Sequence, residues 1–206
     1  MSTPAIELPS QLPVMVLPET MLFPQALLPL YIFEPRYRAM LAHCLQGERM
    51  FCVAMLKPGV QEATRAEHFF QVAGCGLVRA CVGKEDGTSN LILQGLGRVR
   101  FTGYVQEKPF RIAEVESVTS EDADSLEAEA LGAKVLELCH RFKERGEQLP
   151  GQLDQFLAHL TNLEMLADLV AHTFVHDALW RQQLLEEASV SARLRLLIRF
   201  LDTELK

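Results

Sequence analysis

The spacing of apolar and polar residues changes abruptly near the start of the chain. Four prolines interrupt the apolar segment from Leu12 to Phe33, so we expect short extended pieces at the edge or end of a sheet and no helix. Pro35 then stands where a helix accepts proline, in its first turn, and the apolar positions after it follow helical spacing until Gly47. The pattern therefore predicts strand segments followed by one helix.

The middle of the chain has the pattern of short β-strands. The apolar run 50–56 ends at a Pro-Gly pair, which is typical of a strand that is buried on both faces. Asp86-Gly87 separates two apolar segments and indicates a β-hairpin. Charged and apolar residues alternate in 98–101 and 111–116, as in strands with one face in water. Short strands with glycine corners predict a small, partly closed barrel.

The rest of the chain has helical spacing. Apolar stripes with this spacing occupy four ranges, 131–142, 153–160, 166–174 and 194–201. Thr161 with Glu164 forms a capping-box pattern before the third stripe, and Ser191 is predicted to cap the last helix. Packing these helices together as a bundle is the simplest way to bury their apolar faces.

Charge is distributed unevenly between the two halves. Residues 1–118 contain 11 Lys and Arg against 11 Asp and Glu, whereas residues 119–206 contain 9 against 16, so the net charge of −7 lies in the second half. The composition changes at the same place, where the acidic stretch 120–125 begins. We therefore predict two domains, 1–118 and 119–206.

Composition also favours a soluble protein of the cytoplasm. Apolar residues make up 49% and charged residues 23% of the chain, and no run reaches the roughly 18 apolar residues that a membrane span needs. The first seven residues lack the basic and apolar regions of a signal peptide. The five cysteines are odd in number and lack C-x-x-C spacing, so we expect buried, reduced thiols.

The sequence LPLYIFEPRYRAML at 28–41, after Leu22-Phe23-Pro24, resembles the N-terminal substrate-binding domain of Lon proteases, especially the bacterial proteins made of that domain alone. Cys75 stands where this family usually has threonine, a difference we expect to concern packing. Further segments resemble the family in the same order: VAGCG at 72–76 with Val78-Arg79, Asp86-Gly87-Thr88, GLGRVR at 95–100, PFRIAEV at 109–115, and a helical tail at 166–171, 184–186 and 193–194.

The resemblance implies an α+β fold. A PUA-like β pseudo-barrel with one or two helices would occupy 1–118, and a C-terminal α-helical bundle would occupy 119–206. It also implies a non-catalytic module that binds polypeptide segments. The expected partners are unfolded or damaged polypeptides, with a protease or a chaperone as a further candidate. We expect no membrane partner and no cofactor, and the oligomeric state is left open.

Neither ATP hydrolysis nor peptide cleavage is expected. A phosphate-binding loop needs G-x-x-x-x-G-K-[ST], but around Gly83-Lys84 the first glycine is replaced by Val78 and the hydroxyl residue by Glu85. In the resembled family the ATPase and protease domains follow the substrate-binding domain, and this sequence ends at Lys206.

The candidate peptide-binding residues are large apolar side chains next to chain that cannot complete regular pairing, with a basic residue at the rim. They are Met21, Phe23, Leu27, Phe33, Arg36, Phe69 and Phe70. Core packing is the alternative for Phe69 and Phe70. Pairing with a carboxylate, or capping of strand carbonyls across the barrel, is the alternative for Arg36.

Other functions are less well supported by the sequence. A PUA-like fold suggests RNA binding through Arg79, Arg98, Arg100 and Arg111, but a net charge of −7 argues against it. An uncharacterised small-molecule site is a third hypothesis. Asp168, His172 and His176 have i, i+4, i+8 spacing and form a weak metal-site candidate, for which a solvated polar stripe is the favoured alternative.

Overall fold

The computed structural model describes residues 8–144, 157 and 159–205. The chain is an α+β protein that divides into two compact units, Met1–Val118 and Thr119–Lys206.

From residue 8 onward, the first unit contains six strands of one sheet and one α-helix. These elements are β1 (Gln11–Leu17), β2 (Leu27–Ile32), α1 (Pro35–Gln46), β3 (Met50–Met55), β4 (Val72–Gly83), β5 (Ser89–Gln106) and β6 (Arg111–Val118). The strand order is β2-β5-β4-β3-β1-β6, and β6 pairs with β5 as well as with β1. This second pairing closes five strands into a ring. Strand β2 lies outside the ring, on β5.

Three local predictions are confirmed in this unit. Helix α1 begins at Pro35 and is followed by Gly47 at its C-cap. Strands β4 and β5 form the expected hairpin, in which the amide and hydroxyl of Thr88 donate to Asp86 Oδ1 at 2.9 and 2.7 Å. Strand β3 is buried on both faces, because its alternate residues enter two different apolar clusters.

A segment before β2 lies directly on the sheet. A Cβ atom at Gly74 would come within 1.8 Å of the carbonyl oxygen of Leu22, and one at Gly95 within 2.0 Å of the carbonyl oxygen of Phe23. Only glycine at these strand positions leaves room for the main chain of this segment. The side chains of Met21, Leu22 and Phe23 are accordingly buried.

The second unit consists of helices in its described part. These are α2 (Leu126–Glu144), α3 (Leu163–Phe174), α4 (Ala178–Glu186) and α5 (Val190–Glu204). Helix α2 packs on α3 and α5, and α3 also packs on α4 and α5. The buried Arg193 of α5 donates from Nη1 to Oδ1 of the buried Asp168 of α3 at 2.8 Å, which ties these two helices together.

The observed helix caps lie one or two residues away from the predicted ones. Asn162, and not Thr161, caps α3, since its side chain accepts the amide hydrogen of Met165 at 2.8 Å. Ser189, and not Ser191, caps α5. The predicted stripe at 153–160 lies largely outside the described residues. Within the described part of the chain, no helix combines the length and apolarity needed to cross a membrane.

Candidate functional site

Several large apolar side chains at edge strand β2 of the first unit, and directly after it, are exposed. Leu27 is 55%, Tyr31 50% and Phe33 57% exposed, and Ile92 of β5 is 40% exposed. Pro29 pairs with Ile92, so these two residues lie on the same face as Leu27 and Tyr31. We call the residues Leu27, Pro29, Tyr31, Phe33 and Ile92 the β2 face.

Two ring contacts order the aromatic end of the β2 face. The rings of Tyr31 and Phe33 stack with their centroids 5.7 Å apart. Lys84 Nζ lies 4.9 Å from the centroid of the Tyr31 ring, within the range of a cation–π contact. The aromatic surface is therefore held in place before any partner arrives, and it has a positive charge at its rim.

The free main-chain edge of β2 is interrupted. The amide of Gly95 donates to the carbonyl of Ala26 at 2.9 Å, which fixes the alternation of hydrogen bonds along the β2–β5 pair. The main-chain groups of Leu27, Pro29 and Tyr31 must then point away from β5, toward the free edge. Because Pro29 has no N–H, an added strand would lack a donor at the centre of this edge. The apolar side chains, more than the main chain, are what β2 offers to a partner.

A second feature is an open groove of ≈ 880 Å³ at the place where β1 and β6 part. Pairing of these strands ends at Val14 and Arg111. Farther along β1, the Tyr37 hydroxyl donates to the carbonyl of Val16 at 2.8 Å and accepts from its amide at 3.1 Å. Burial raises the pKa of Tyr37, so this hydroxyl stays protonated at neutral pH.

The groove is lined by residues of five segments. They are Val14 and Val16 of β1, Arg36 and Tyr37 of α1, Glu62, Ala63 and Thr64 of the loop after β3, Glu107, Lys108, Pro109 and Phe110 of the turn before β6, and Arg111. Arg36 forms ion pairs with Glu34 at 2.8 Å and Glu62 at 3.5 Å. This arrangement matches the pairing alternative for Arg36.

Three of the predicted binding residues are not accessible. Met21 and Phe23 are buried where their segment lies on the strand glycines. Phe69 is fully buried, with its ring edge-on to Phe101 and Tyr104 at 6.1 and 6.0 Å between centroids. A binding role for these three residues through direct contact was the wrong expectation, because each belongs to the core.

The other four predicted residues lie in different places. Leu27 and Phe33 belong to the β2 face, and Arg36 lines the groove. Phe70 is partly buried. Sequence reasoning missed Tyr31 and Ile92 as members of the β2 face, although Tyr31 lies two residues before Phe33 and so shares its side of an extended chain.

The weak metal candidate is not assembled by the fold. Helix α3 ends at Phe174, so His176 is not on the helix that was expected to align it. Asp168 is engaged by Arg193. Burial, with a smaller effect of Arg181, lowers the pKa of His172, whose Nδ1 lies 3.4 Å from Arg181 Nη2. Among the described residues, no three His, Cys, Asp or Glu side chains come together as metal ligands.

The arginines proposed for RNA do not form one patch. Arg98 is buried. Arg79 and Arg100 are exposed but far apart. Arg100 pairs with Val72, and Val72 lies seven residues, or about 23 Å along β4, before Arg79.

The surroundings of Lys84 differ from those of a phosphate-binding lysine. Lys84 lies in the turn of the β4–β5 hairpin, whereas a phosphate-binding loop joins a strand to a helix.

Comparison with known proteins gives a consistent result. The family model for the ATP-dependent protease La (LON) substrate-binding domain matches residues 11–203. The Lon protease of Dictyoglomus thermophilum is 25% identical over 203 residues, which are 97% of this chain and 25% of that protein. Lon protease 2 of Herpetosiphon aurantiacus is 28% identical over 196 residues, 95% of this chain and 24% of that protein. The chain thus spans about a quarter of the length of these curated relatives.

Two solved structures have a similar fold. The N-terminal domain of Mycobacterium avium complex Lon protease has a TM-score of 0.75 and 19% identity, covering 93% of this chain and 98% of that one. A Lon N-terminal domain protein from Xanthomonas campestris has a TM-score of 0.62 and 21% identity, covering 92% and 98%. Since the family model matches nearly the whole sequence, this chain belongs to the family of Lon substrate-binding domains.

Proposed function

We propose that this chain is a non-catalytic module that binds unfolded or damaged polypeptides through the β2 face. The observation that carries the proposal is the cluster of exposed large side chains at an edge strand, Leu27 and Tyr31 within it and Phe33 directly after it. Exposed apolar clusters on a folded domain mark interaction sites. Folded proteins bury such side chains, so an apolar face of this kind favours chains that have lost their structure.

The chemistry of the face fits a partner with little sequence demand. Aromatic anchors contribute strongly to binding, and the stacked pair Tyr31 and Phe33 is already ordered. Because Pro29 interrupts the free edge, affinity comes from side-chain contacts more than from a continuous ladder of main-chain hydrogen bonds. Such contacts accept many sequences that contain apolar residues.

The wider setting is part of the same proposal. We propose that the ring of strands is the PUA-like pseudo-barrel that the family resemblance implies, and that the helices of 119–206 form a C-terminal bundle. The module acts in the cytoplasm and presents its clients to a protease or a chaperone. It does not itself hydrolyse ATP or cleave peptides.

The test uses the full chain and a protein kept unfolded by reduction and carboxymethylation, with binding followed by fluorescence anisotropy. The double variant Leu27→Ser/Phe33→Ser is expected to weaken binding by at least tenfold, because it removes two apolar anchors. The matched control is Leu126→Ser/Leu179→Ser, which replaces two exposed leucines of the second unit, 82% and 51% exposed.

The control variant is expected to bind as the unmodified chain does. Equal binding by Leu27→Ser/Phe33→Ser and the unmodified chain would contradict the assignment of the β2 face. Equal losses of binding in both double variants would mean that any exposed apolar residue contributes to binding, whatever its position, and would also contradict the assignment.

A further inference from the structure

In the groove between β1 and β6, one arginine has no carboxylate within ion-pair distance among the described residues. Arg111 is the first residue of β6 and pairs with Val14, the last residue of β1 to contact β6. The Arg111 side chain is partly buried, and its Cζ lies 5.3 Å from the centroid of the Phe69 ring. This stacking holds the planar guanidinium in one orientation at the groove.

Three polar side chains near Arg111 have other partners. The Tyr37 hydroxyl bonds to the main chain of Val16, and the Tyr104 hydroxyl donates to Gln71 Oε1 at 2.8 Å. Glu62 pairs with Arg36. Over residues 8–144, 157 and 159–205, no carboxylate oxygen lies within 4.0 Å of the Arg111 guanidinium nitrogens. A guanidinium that is partly withdrawn from water would gain from a carboxylate in this position.

The charge of the groove sets the kind of anion. Three cationic residues, Arg36, Lys108 and Arg111, line it together with two carboxylates, Glu62 and Glu107. Glu34, beside the groove, also pairs with Arg36, so the nearby charges balance, and a monoanion disturbs this balance less than a phosphate dianion or a polyanion. Pro109, Phe110 and Ala63 supply apolar surface beside the charge.

We propose that this groove binds an aspartate or glutamate side chain of a polypeptide, with Arg111 as its counter-ion. The inference rests on the proposed function and names a substrate class, acidic residues flanked by aliphatic ones. A volume of ≈ 880 Å³ is within the range of small-ligand sites and accommodates a few residues of chain. The groove is open to solvent, so a chain can pass through it and present an internal side chain.

The experiment compares two fluorescent 11-residue peptides, acetylated and amidated, that differ only in a central Glu or Gln between leucines. The full chain is expected to bind the Glu peptide about tenfold more tightly, the usual size of a hydrogen bond to a charged group. Arg111→Gln is expected to abolish this preference and to leave the affinity for the Gln peptide unchanged. The control Arg100→Gln changes an exposed arginine that does not line the groove and is expected to keep the preference.

A second variant serves even if Arg111→Gln disturbs the fold. Glu62 is exposed, and Glu62→Gln removes one of the two carboxylates of the groove. This variant is expected to bind the Glu peptide several-fold more tightly, with no change for the Gln peptide. Weaker binding of the Glu peptide by Glu62→Gln would overturn the proposal.

Other outcomes also decide against it. Equal affinity of the full chain for the two peptides, or no binding of either, would overturn the inference. So would a Glu preference that persists in Arg111→Gln. A Gln peptide with a free C-terminal carboxylate tests the chain end. If it bound tenfold more tightly than the amidated Gln peptide, and Arg111→Gln removed this gain, the groove would bind a C-terminal carboxylate and not an internal side chain. Displacement of the Glu peptide by millimolar inorganic phosphate would assign the groove to phosphate.

Failure of this inference is distinguishable from failure of the proposed function. Leu27→Ser/Phe33→Ser is expected to weaken the binding of both peptides equally, since it acts on the β2 face. Arg111→Gln is expected to change only the response to acidic residues. Binding of the carboxymethylated protein that depends on Leu27 and Phe33, without any Glu preference, would leave the proposed function standing alone.

Discussion

Gly95 is a residue at which a single methyl group decides whether the chain fits. A Cβ there would lie 2.0 Å from the carbonyl oxygen of Phe23, a main-chain atom that cannot turn aside as a side chain could. Gly95→Ala is therefore expected to lower the free energy of unfolding by about 3 kcal/mol, at the upper end of ordinary overpacking. The measurement is urea unfolding followed by circular dichroism.

Gly97 provides the matched control on the same strand. No atom beyond its chain neighbours lies within 4 Å of the Cβ position at Gly97. Gly97→Ala should change the free energy of unfolding by less than about 1 kcal/mol. If both variants lost the same stability, alanine in β5 itself would be the cause, and not the contact with Phe23.

Phe69 tests the distinction between core and surface. Its ring is fully buried against Phe101 and Tyr104, so Phe69→Ala should lower the free energy of unfolding by about 3–5 kcal/mol. Phe33, which is 57% exposed, is the control, and Phe33→Ala should cost less than about 1 kcal/mol. Guanidinium unfolding of both variants measures the difference. A stable Phe69→Ala variant would contradict the assignment of this ring to the core.

Local sequence identified some residues of the candidate surface and missed others for a physical reason. Leu27 and Phe33, two of the candidate binding residues, are exposed, because one lies in an edge strand and the other directly after it. The burial of Phe23 depends on Gly74 and Gly95, which are far away in sequence. The alternation around Arg111 predicted a strand, but the groove beside it arises where β1 and β6 stop pairing, which depends on contacts almost a hundred residues apart.

At the scale of elements, sequence pattern located the helices and strands better than their ends. The helix from Pro35, the hairpin at Asp86-Gly87 and the buried strand β3 were all predicted. The caps of α3 and α5 differed because each candidate has a neighbouring residue that also caps well, Asn162 beside Thr161 and Ser189 before Ser191. Which of two such neighbours caps the helix depends on how the helix packs, and the local sequence does not show that packing.

One carboxylate links the start of the second unit to its last helix. Asp122 Oδ1 accepts the amide hydrogen of Val190 in the first turn of α5 at 2.8 Å, and Oδ2 accepts from the Ser189 hydroxyl at 3.0 Å. Hydrogen bonds from Ser191 and Ser189 hold the pKa of Asp122 below its ordinary value. These hydrogen bonds are stronger when the carboxyl group is ionised than when it is protonated.

The pH dependence follows from the direction of that shift. A carboxyl group whose pKa is depressed in the folded state stabilises the fold above its unfolded pKa, and this contribution is lost as the pH falls through the folded pKa. Between about pH 5 and pH 2 the melting temperature of the unmodified chain should therefore fall more steeply than that of Asp122→Asn. Thermal melts at 222 nm across this range make the comparison. Parallel curves would show that Asp122 contributes nothing to acid sensitivity.

At the scale of the whole molecule, sequence predicted the α+β class but not how the strands are connected. The parallel pairing of β1 with β3 and the closure of the ring by β6 join distant segments. Hydrophobic pattern describes which face of a strand is buried, whereas the choice of neighbouring strand depends on all the others. The family resemblance implied the same class of fold as the pattern.

The predicted boundary at residue 118 can be tested with the fragment 1–118. All six strands pair within this fragment, so it should fold and unfold cooperatively on its own. Its formal charge is zero, from 11 basic and 11 acidic residues, while the β2 face stays exposed. With little charge repulsion, the fragment should self-associate at pH 7, which sedimentation velocity at increasing concentration measures. The same fragment with Leu27→Ser/Phe33→Ser should remain monomeric. If this variant still self-associates, the surface responsible lies outside the β2 face. A fragment without cooperative unfolding would show that the boundary at 118 is wrong.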